Sequence, residues 1–416
     1  MNNNKPIVLV ATFISMVIFF MVSFKYALVY AFDGEGSLTG NDTWIDVDDF
    51  DSIEEYMLYL EEHPEVARPS IDEIEANANY NITVNANLQY IVKNGTNCNL
   101  QITAIQKTYK DGNYLYVLQR IPNSSTTCGP NMQLTRCTIS GNVATAQDCM
   151  TLVDFGHSQT LELLDYTINS YPRFIIACNK NSQAQHSSYW STEVGRITYT
   201  PSGSAYLNTT PRLVDIQYAN IDHSPYGNAW RVDAGLSSDK LKLVIWMKNS
   251  GGNIQYSVYN MTTLKALLDA AESNATYTLS CSSSAVINAF LGSCQQIGSD
   301  AFLPNDSFQG VELSNSLTMF INGGKNNQVP KVAYISGGII SNYVYYCTWV
   351  FNATLVGNVN NVNVLAEYAN AEIESPQLIG DTLYVSIYRR NQSQANGKYS
   401  IFSIPLSAFS IPMLDE

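Results

Sequence analysis

The sequence predicts an all-β chain, a five-bladed β-propeller preceded by an N-terminal signal or transmembrane helix and an acidic spacer. Three observations predict it. Only 14% of the 416 residues are charged while Tyr alone numbers 27, and strands favour aromatic and β-branched side chains whereas their loops favour Asn, Ser and Gly. A unit of short alternating strands recurs five times after residue 80. The long apolar run and the excess acid are both confined to the residues before it.

Residues 1–32 read as a signal peptide or signal-anchor helix. The uncharged run from Ile7 to Phe24 lies between Lys5 and Lys25, and at about 1.5 Å per residue it spans roughly 27 Å, near the thickness of a bilayer core. It is followed by "VYA", whose small residue ending at Ala31 suits signal-peptidase cleavage. Either outcome exports the body of the chain, secreted or membrane-anchored through this helix, with the propeller outside the cell or on a virion surface.

Residues 33–79 form the spacer. Fifteen of the 36 carboxylates lie between Asp33 and Glu75, with Arg68 the only base among them. The net charge of −14 therefore belongs to this segment, and the remaining body is neutral. Neither part offers the basic face that a nucleic-acid partner requires. Within "DSIEEYMLYLEEHPEVARPS", Ile53, Tyr56, Met57, Tyr59 and Leu60 recur at helical spacing until Pro64 stops them. This reads as a short amphipathic helix in a solvated linker, or alternatively as a pro-segment or partner-docking helix.

Residues 80–416 carry the repeat. "SQTLEL", "AWRVDA", "FQGVEL" and "AEIES" align with an acid at one position: Glu162, Asp233, Glu312 and Glu374. Each is followed by a strongly β-patterned strand, "PRFIIACN", "DKLKLVIWMK", "NSLTMFING" and "DTLYVSIYRR", and then by a third strand. A degenerate copy, "LQITAIQ" with "GNYLYVLQR" and "MQLTRCTIS", comes first and has Ala104 in place of the acid. Five such units are the mark of a propeller, and "NANLQYIVK" at 85–93 is placed to close the ring on the last of them.

First strands of propeller blades line the axis, so the four acids are expected to converge there. A repeated acid most simply accepts backbone N–H bonds from a neighbouring turn. Alternatively the four form a ligand or cation ring, or a pair of them cleaves a glycosidic bond as acid and base. His157, with Gln159 and Gln309, is the ligand-contact candidate, because it is not repeated. It lacks a nucleophile partner, and the other histidines, His63, His186 and His223, show no motif spacing. Tyr189, Trp190 and Tyr226 stand beside polar residues as sugar-binding surfaces require, and Tyr343, Tyr345, Tyr346, Trp349 and Phe351 crowd one strand-rich stretch.

The eight cysteines fit an oxidising compartment, and Cys281 and Cys294 are the pair expected to form a disulfide. None stands in CxxC spacing, so no metal and no cofactor is expected. Sequons at Asn41, Asn81, Asn94, Asn123, Asn208, Asn260, Asn274, Asn305, Asn352 and Asn391 are glycosylation candidates.

From about Leu88 to Leu406 the chain resembles the helveticin J family of large heat-labile bacteriocins. The resemblance rests on "GHSQTLEL", "YPRF" with "STEVGRITY", "AGLSSDKLKLVIWMKNSGGNIQYSVYNMTTLKALLD", "SFQGVELSN" and "EIESPQLIGDTLYVSIYRRNQ", kept in order. It implies a secreted protein that binds the envelope of a target cell, through an envelope component or glycan, and kills or inhibits it. It supplies no agreed catalytic residues, so an enzymatic role is not expected. The apolar N-terminus, acidic spacer and eight cysteines depart from the family pattern. They suit display on a cell or virion surface, where the same scaffold would attach without killing.

Overall fold

The computed structural model describes residues 81–409 except 124–127, 182–187, 297–302, 325–327, 337–339, 342, 346–347, 360–361, 364 and 366–370. The expected signal helix, spacer helix and sequon Asn41 lie outside the described residues. Among those described, no helix is long and apolar enough to cross a membrane.

The chain is predominantly β with few helices, and its strands assemble as five antiparallel groups. Group I contains Ile105–Asp111, Tyr114–Pro122, Cys128–Ser140 and Val143–Val153. Group II contains Glu162–Tyr166, Pro172–Lys180, Ser191–Thr198 and Arg212–Val214. Group III contains Ala229–Leu236, Lys242–Asn249, Ile254–Asn260 and Phe290–Gln296. Group IV contains Val311–Leu313, Met319–Gly323, Lys331–Ser336 and Thr348–Val359. Group V contains Ala371–Ile379, Thr382–Arg389 and Tyr399–Pro405.

The fourth strand of group V comes from the N-terminal side. Asn81–Lys93 pairs antiparallel with Tyr399–Pro405, with Leu88 opposite Phe402. The same strand runs parallel to Thr348–Val359 at one end and to Val143–Val153 at the other. It thereby ties groups IV, V and I together at their outer edges.

Second strands such as "YLYVLQRIP" and "KLVIWMKN" are buried almost continuously, with no alternation. Continuous burial means that both faces of the sheet are covered. The five apolar clusters show what covers them. Leu118, Met132 and Phe174 join groups I and II, and Ile175, Val232 and Ile245 join II and III. Trp246, Val258 and Ile321 join III and IV, and Phe320, Val332 and Val385 join IV and V. The fifth cluster joins Leu115 and Val117 of group I to Tyr399 and Ile401 of group V, returning to the start.

Three expectations require correction. The spacing of "MTTLKALLDAAES" goes unused in the strand reading, yet Met261–Ser273 is an α-helix inserted before the last strand of group III, burying Met261, Leu264, Leu268 and Ala271. Its N-cap is Asn260, whose side chain accepts from Thr263 N at 3.0 Å; Asn260 is therefore already engaged and a poor glycan acceptor. Asn352 is only 8% exposed between two paired strands, which leaves no room for a glycan. Asn94 Oδ1 accepts from Leu100 N, and Asn305 Nδ2 donates to Val329 O. Asn123, Asn208, Asn274 and Asn391 are exposed.

The third correction concerns the disulfide, since Cys281 and Cys294 are not joined to each other. Cys281 follows a strand, Thr278–Ser280, that pairs with Arg212–Val214 in group II, whereas Cys294 lies opposite Tyr256 in group III. The short helix Ser284–Ile287 between them carries the chain from one sheet to the next. Nearness in sequence therefore does not become nearness of the two sulfurs.

Candidate functional site

The first strands of groups I to V bring polar side chains to a common buried centre. Glu162, Asp233, Glu312 and Glu374 are each no more than 2% exposed. Lys107, fully buried on the first strand of group I, holds Glu162 at 2.7 Å and Glu312 at 3.0 Å and also donates to Pro376 O. The degenerate repeat thus does not simply lack an acid. Its first strand starts at Ile105, beyond Ala104, and delivers the cation that two other copies need.

Asp233 accepts from Gln159 N at 2.8 Å and from Thr160 Oγ1 at 3.2 Å, while Arg231 Nε approaches its other oxygen at 3.1 Å. Glu374 accepts from Gln159 Nε2 at 2.6 Å and from Gln106 Nε2 at 3.4 Å. Gln159 also donates to Gln309 Oε1 at 2.8 Å, and its own Oε1 accepts from Arg231. One glutamine therefore links the first strands of groups III and V to the turn that opens group IV.

Burial decides the protonation states. It lifts Glu162 well above the usual carboxylate range, the adjacent Glu312 adds to the rise, and Lys107 opposes it. Burial likewise raises Glu312, which Lys107 and a hydrogen bond from Glu162 pull back. Both acids are thereby pushed towards the protonated form, Glu162 further than Glu312. Lys107 is pulled down by burial, but its two partners more than offset this and hold the ammonium above its ordinary value. Glu374 is raised well above the usual range by burial and then by Glu372, and Asp233 is raised by burial against Arg231. Two cations, Lys107 and Arg231, thus face four acids that burial pushes towards their neutral forms.

His157 lies beside this centre. Its Nε2 contacts Gln106 Oε1, and Gln106 Nε2 donates elsewhere, which assigns the ring proton to Nε2. Its ring stacks on Trp190 at 4.0 Å, and the Arg231 guanidinium sits 3.6 Å from the Trp190 ring centroid. Burial, then Arg120 and Arg231, hold its pKa well below the ordinary imidazole value. The imidazole is neutral.

These pKa directions predict a pH dependence. Above about 4.3 the unfolded chain loses a proton that folded Glu374 retains. Stability contributed by Glu374 is therefore lost as pH rises towards its raised native value. Below about 6.5 the unfolded chain gains a proton that folded His157 refuses, so stability is lost as pH falls. Thermal midpoints across this range are expected to lose the first slope in Glu374→Gln and the second in His157→Gln. Unchanged profiles in both variants would contradict the assignment.

A cavity of about 610 Å³ opens against the network. Trp190, Trp230 and Trp246, three of the five tryptophans, line it together with Phe308, which stacks on Trp246 at 3.8 Å. Its polar lining includes His157, Gln106, Gln309, Glu372, Glu374 and Arg390. Of the sequence candidates, His157, Gln309 and Glu374 reach the cavity; Gln159, Glu162, Asp233 and Glu312 stand behind it. Glu162 and Glu312 are locked on Lys107, which leaves them without access to a substrate. Among the aromatic expectations, Trp190 enters the lining, whereas Tyr345 is buried and donates to Leu317 O.

Sequence reasoning missed Lys107, Arg231, Trp230, Trp246 and Glu372. Arg231 had a signal, since it stands two residues before the repeated acid and so shares its face of the strand. Lys107 in "IQKTYKD" had none, because nothing local separates it from an exposed strand lysine.

A family model described as bacteriocin helveticin-J matches residues 76–407. No curated protein matches the chain in sequence. Among solved structures, an exo-β-1,3-galactanase from Phanerochaete chrysosporium is similar at 9% identity and a TM-score of 0.42, over 77% of this chain and 63% of that one. A Clostridium thermocellum exo-β-1,3-galactanase gives 9% identity and 0.40, over 77% and 62%. A periplasmic gluconolactonase from Pseudomonas aeruginosa gives 11% and 0.32, over 72% and 70%. The chain thus spans less than two thirds of either galactanase.

Proposed function

This chain belongs to the helveticin J family, and we propose that it is an exported, bacteriocin-like protein that binds a glycan of a target cell envelope in the tryptophan-lined cavity. We read the five strand groups as the blades of a five-bladed propeller, because five apolar clusters join each group to the next and the last to the first. The cavity would then lie near the axis, and the strand Asn81–Lys93 would fasten the ring.

The observation that carries the reading is the company the cavity keeps: three indoles beside carboxylate, amide and guanidinium groups. A sugar presents an apolar ring face and hydrogen-bonding edges, and needs both kinds of wall. Arg231, by holding Trp190 while tied to Asp233, preorganises one of those walls. Glu162, Asp233 and Glu312 stand behind the cavity, held by Lys107 and Arg231, which favours binding over hydrolysis.

The full-length protein is expected to bind Gram-positive cells or their isolated walls and to reduce viability. Binding without loss of viability would favour an attachment protein and sink the killing role. Release of reducing sugar that Glu372→Gln abolishes would favour a glycosidase. Trp190→Ala is expected to weaken binding by about 2 kcal/mol, roughly thirtyfold. Undiminished binding in a folded Trp190→Ala protein would remove the cavity as the site.

A further inference from the structure

Three thiols meet on one face of group I, away from the site just described. Cys137 and Thr135 are two apart on Cys128–Ser140 and so share a face, and Thr135 pairs directly with Cys149 on Val143–Val153. The loop bearing Cys98 lies over this face. Cys98 Sγ is 3.9 Å from Thr135 Oγ1 and accepts from Gln133 Nε2 at 3.9 Å, which sets it over the strand pair that carries Cys149, the residue opposite Thr135. Cys98 and Cys137 are buried in the cluster between groups I and V, with Cys149 packed at its margin.

The loop is pressed on its support. Gly95 N donates to Cys98 O at 3.1 Å, Leu100 N donates to Asn94 Oδ1 at 2.9 Å, and a Cβ added at Gly95 would overlap Ala146 O. From Cys98 the chain continues without ladder pairing. Gln101 N and Thr103 Oγ1 bond to Gln119 Oε1 and Arg120 O, and Thr103, Ala104 and Gln106 then enter the cavity wall.

We propose that Cys98 and Cys149 are an oxidisable thiol pair whose disulfide fastens this cavity-lining segment to the strand Val143–Val153. The oxidant is a low-molecular-weight disulfide such as oxidised glutathione. The partly exposed Cys149 loses its proton and attacks one glutathione sulfur, forming a mixed disulfide and expelling a glutathione thiolate. Cys98 then gives up its proton and attacks the Cys149 sulfur, expelling the second glutathione. Two protein thiols become one disulfide, and two glutathione thiols are the reduced product. Cys98 is buried and Cys149 is not, so Cys149 meets the oxidant and makes the first attack, and Cys98 resolves it. Cys137 is the competing partner, but it sits on the inner strand, under the loop.

The pair stands apart from the glycan reading, and its test does not use a glycan. The full-length protein, folded, is incubated with oxidised or reduced glutathione, alkylated and mapped without reduction. A linked peptide pair joining Cys98 to Cys149, lighter by two hydrogens, is expected after oxidation, with Cys178 and Cys281 alkylated only after unfolding. Cys149→Ser, tested for folding by circular dichroism, is expected to leave Cys98 free. The oxidised form is expected to exchange its amide hydrogens more slowly across residues 99–106. Free Cys98 and Cys149 after oxidation, a Cys98–Cys137 link, or unchanged exchange over 99–106 would overturn the proposal.

Discussion

Methionine in place of Lys107 is expected to lower stability by about 3–5 kcal/mol, because it removes the cation from a fully buried site and leaves its acids in place. Lys107 has no solvent to fall back on, being 0% exposed, and neither has Glu162 or Glu312. With the ammonium gone, Glu312 must take up a proton to remain buried, and Pro376 O loses its donor. Glu162→Gln alone is expected to cost less, about 1 kcal/mol, since burial already favours the neutral carboxyl and an amide can take its place beside Glu312. Glu312→Gln in the Lys107→Met background is expected to recover part of the loss, because a glutamine is neutral there without taking up a proton. Urea denaturation of the three variants at neutral pH checks this, and a Lys107→Met loss below about 1 kcal/mol would contradict the buried triad.

The strands and their order were legible from the sequence because second strands such as "PRFIIACN" and "DTLYVSIYRR" must be apolar on both faces when sheets cover both sides. The repeated acids were legible because a position on a first strand meets the same inward environment in each copy. Their partners were not, because the repeats solve the same problem differently. Asp233 uses an arginine on its own strand, Glu162 and Glu312 use a lysine from another group, and Glu374 uses glutamines from two groups. Those pairings run across as many as 268 residues of sequence, between Gln106 and Glu374, and no local pattern encodes them. The same reason hid the cavity: Trp190, Trp230 and Trp246 come from a bridge before one strand and from two strands of another group. His157 stood out as unrepeated, and it is the cavity that gives that difference a place.

Alanine in place of Gly310 is expected to lower stability by about 3 kcal/mol or more and to impair the cavity at the same time. Gly310 has a φ of +118°, a conformation that costs a residue with a Cβ about 1–3 kcal/mol. Strain is only part of it. A Cβ there would overlap Ser375 Oγ and stand 2.8 Å from Ser375 Cα, so backbone of group V has to move. Ser375 Oγ donates to Gln159 O at 2.6 Å, and Gln159 Nε2 in turn bonds Gln309 and Glu374. Gln309, next to the substituted residue, is itself held by Asn322 O at 2.8 Å and lines the cavity. A displacement at this crossing therefore reaches groups II, IV and V through bonds that share Gln159. Gly380 provides the comparison, since its φ is +55° and a Cβ there meets nothing within 4 Å. Gly380→Ala is expected to cost only about 1 kcal/mol, the conformational part alone. Equal losses in the two variants, measured by thermal and urea unfolding, would show that the close approach at Gly310 is not what holds the three groups in register. A Gly310→Ala protein that unfolds earlier and loses cell-wall binding, beside a Gly380→Ala protein that keeps it, would tie the cavity's shape to that single missing side chain.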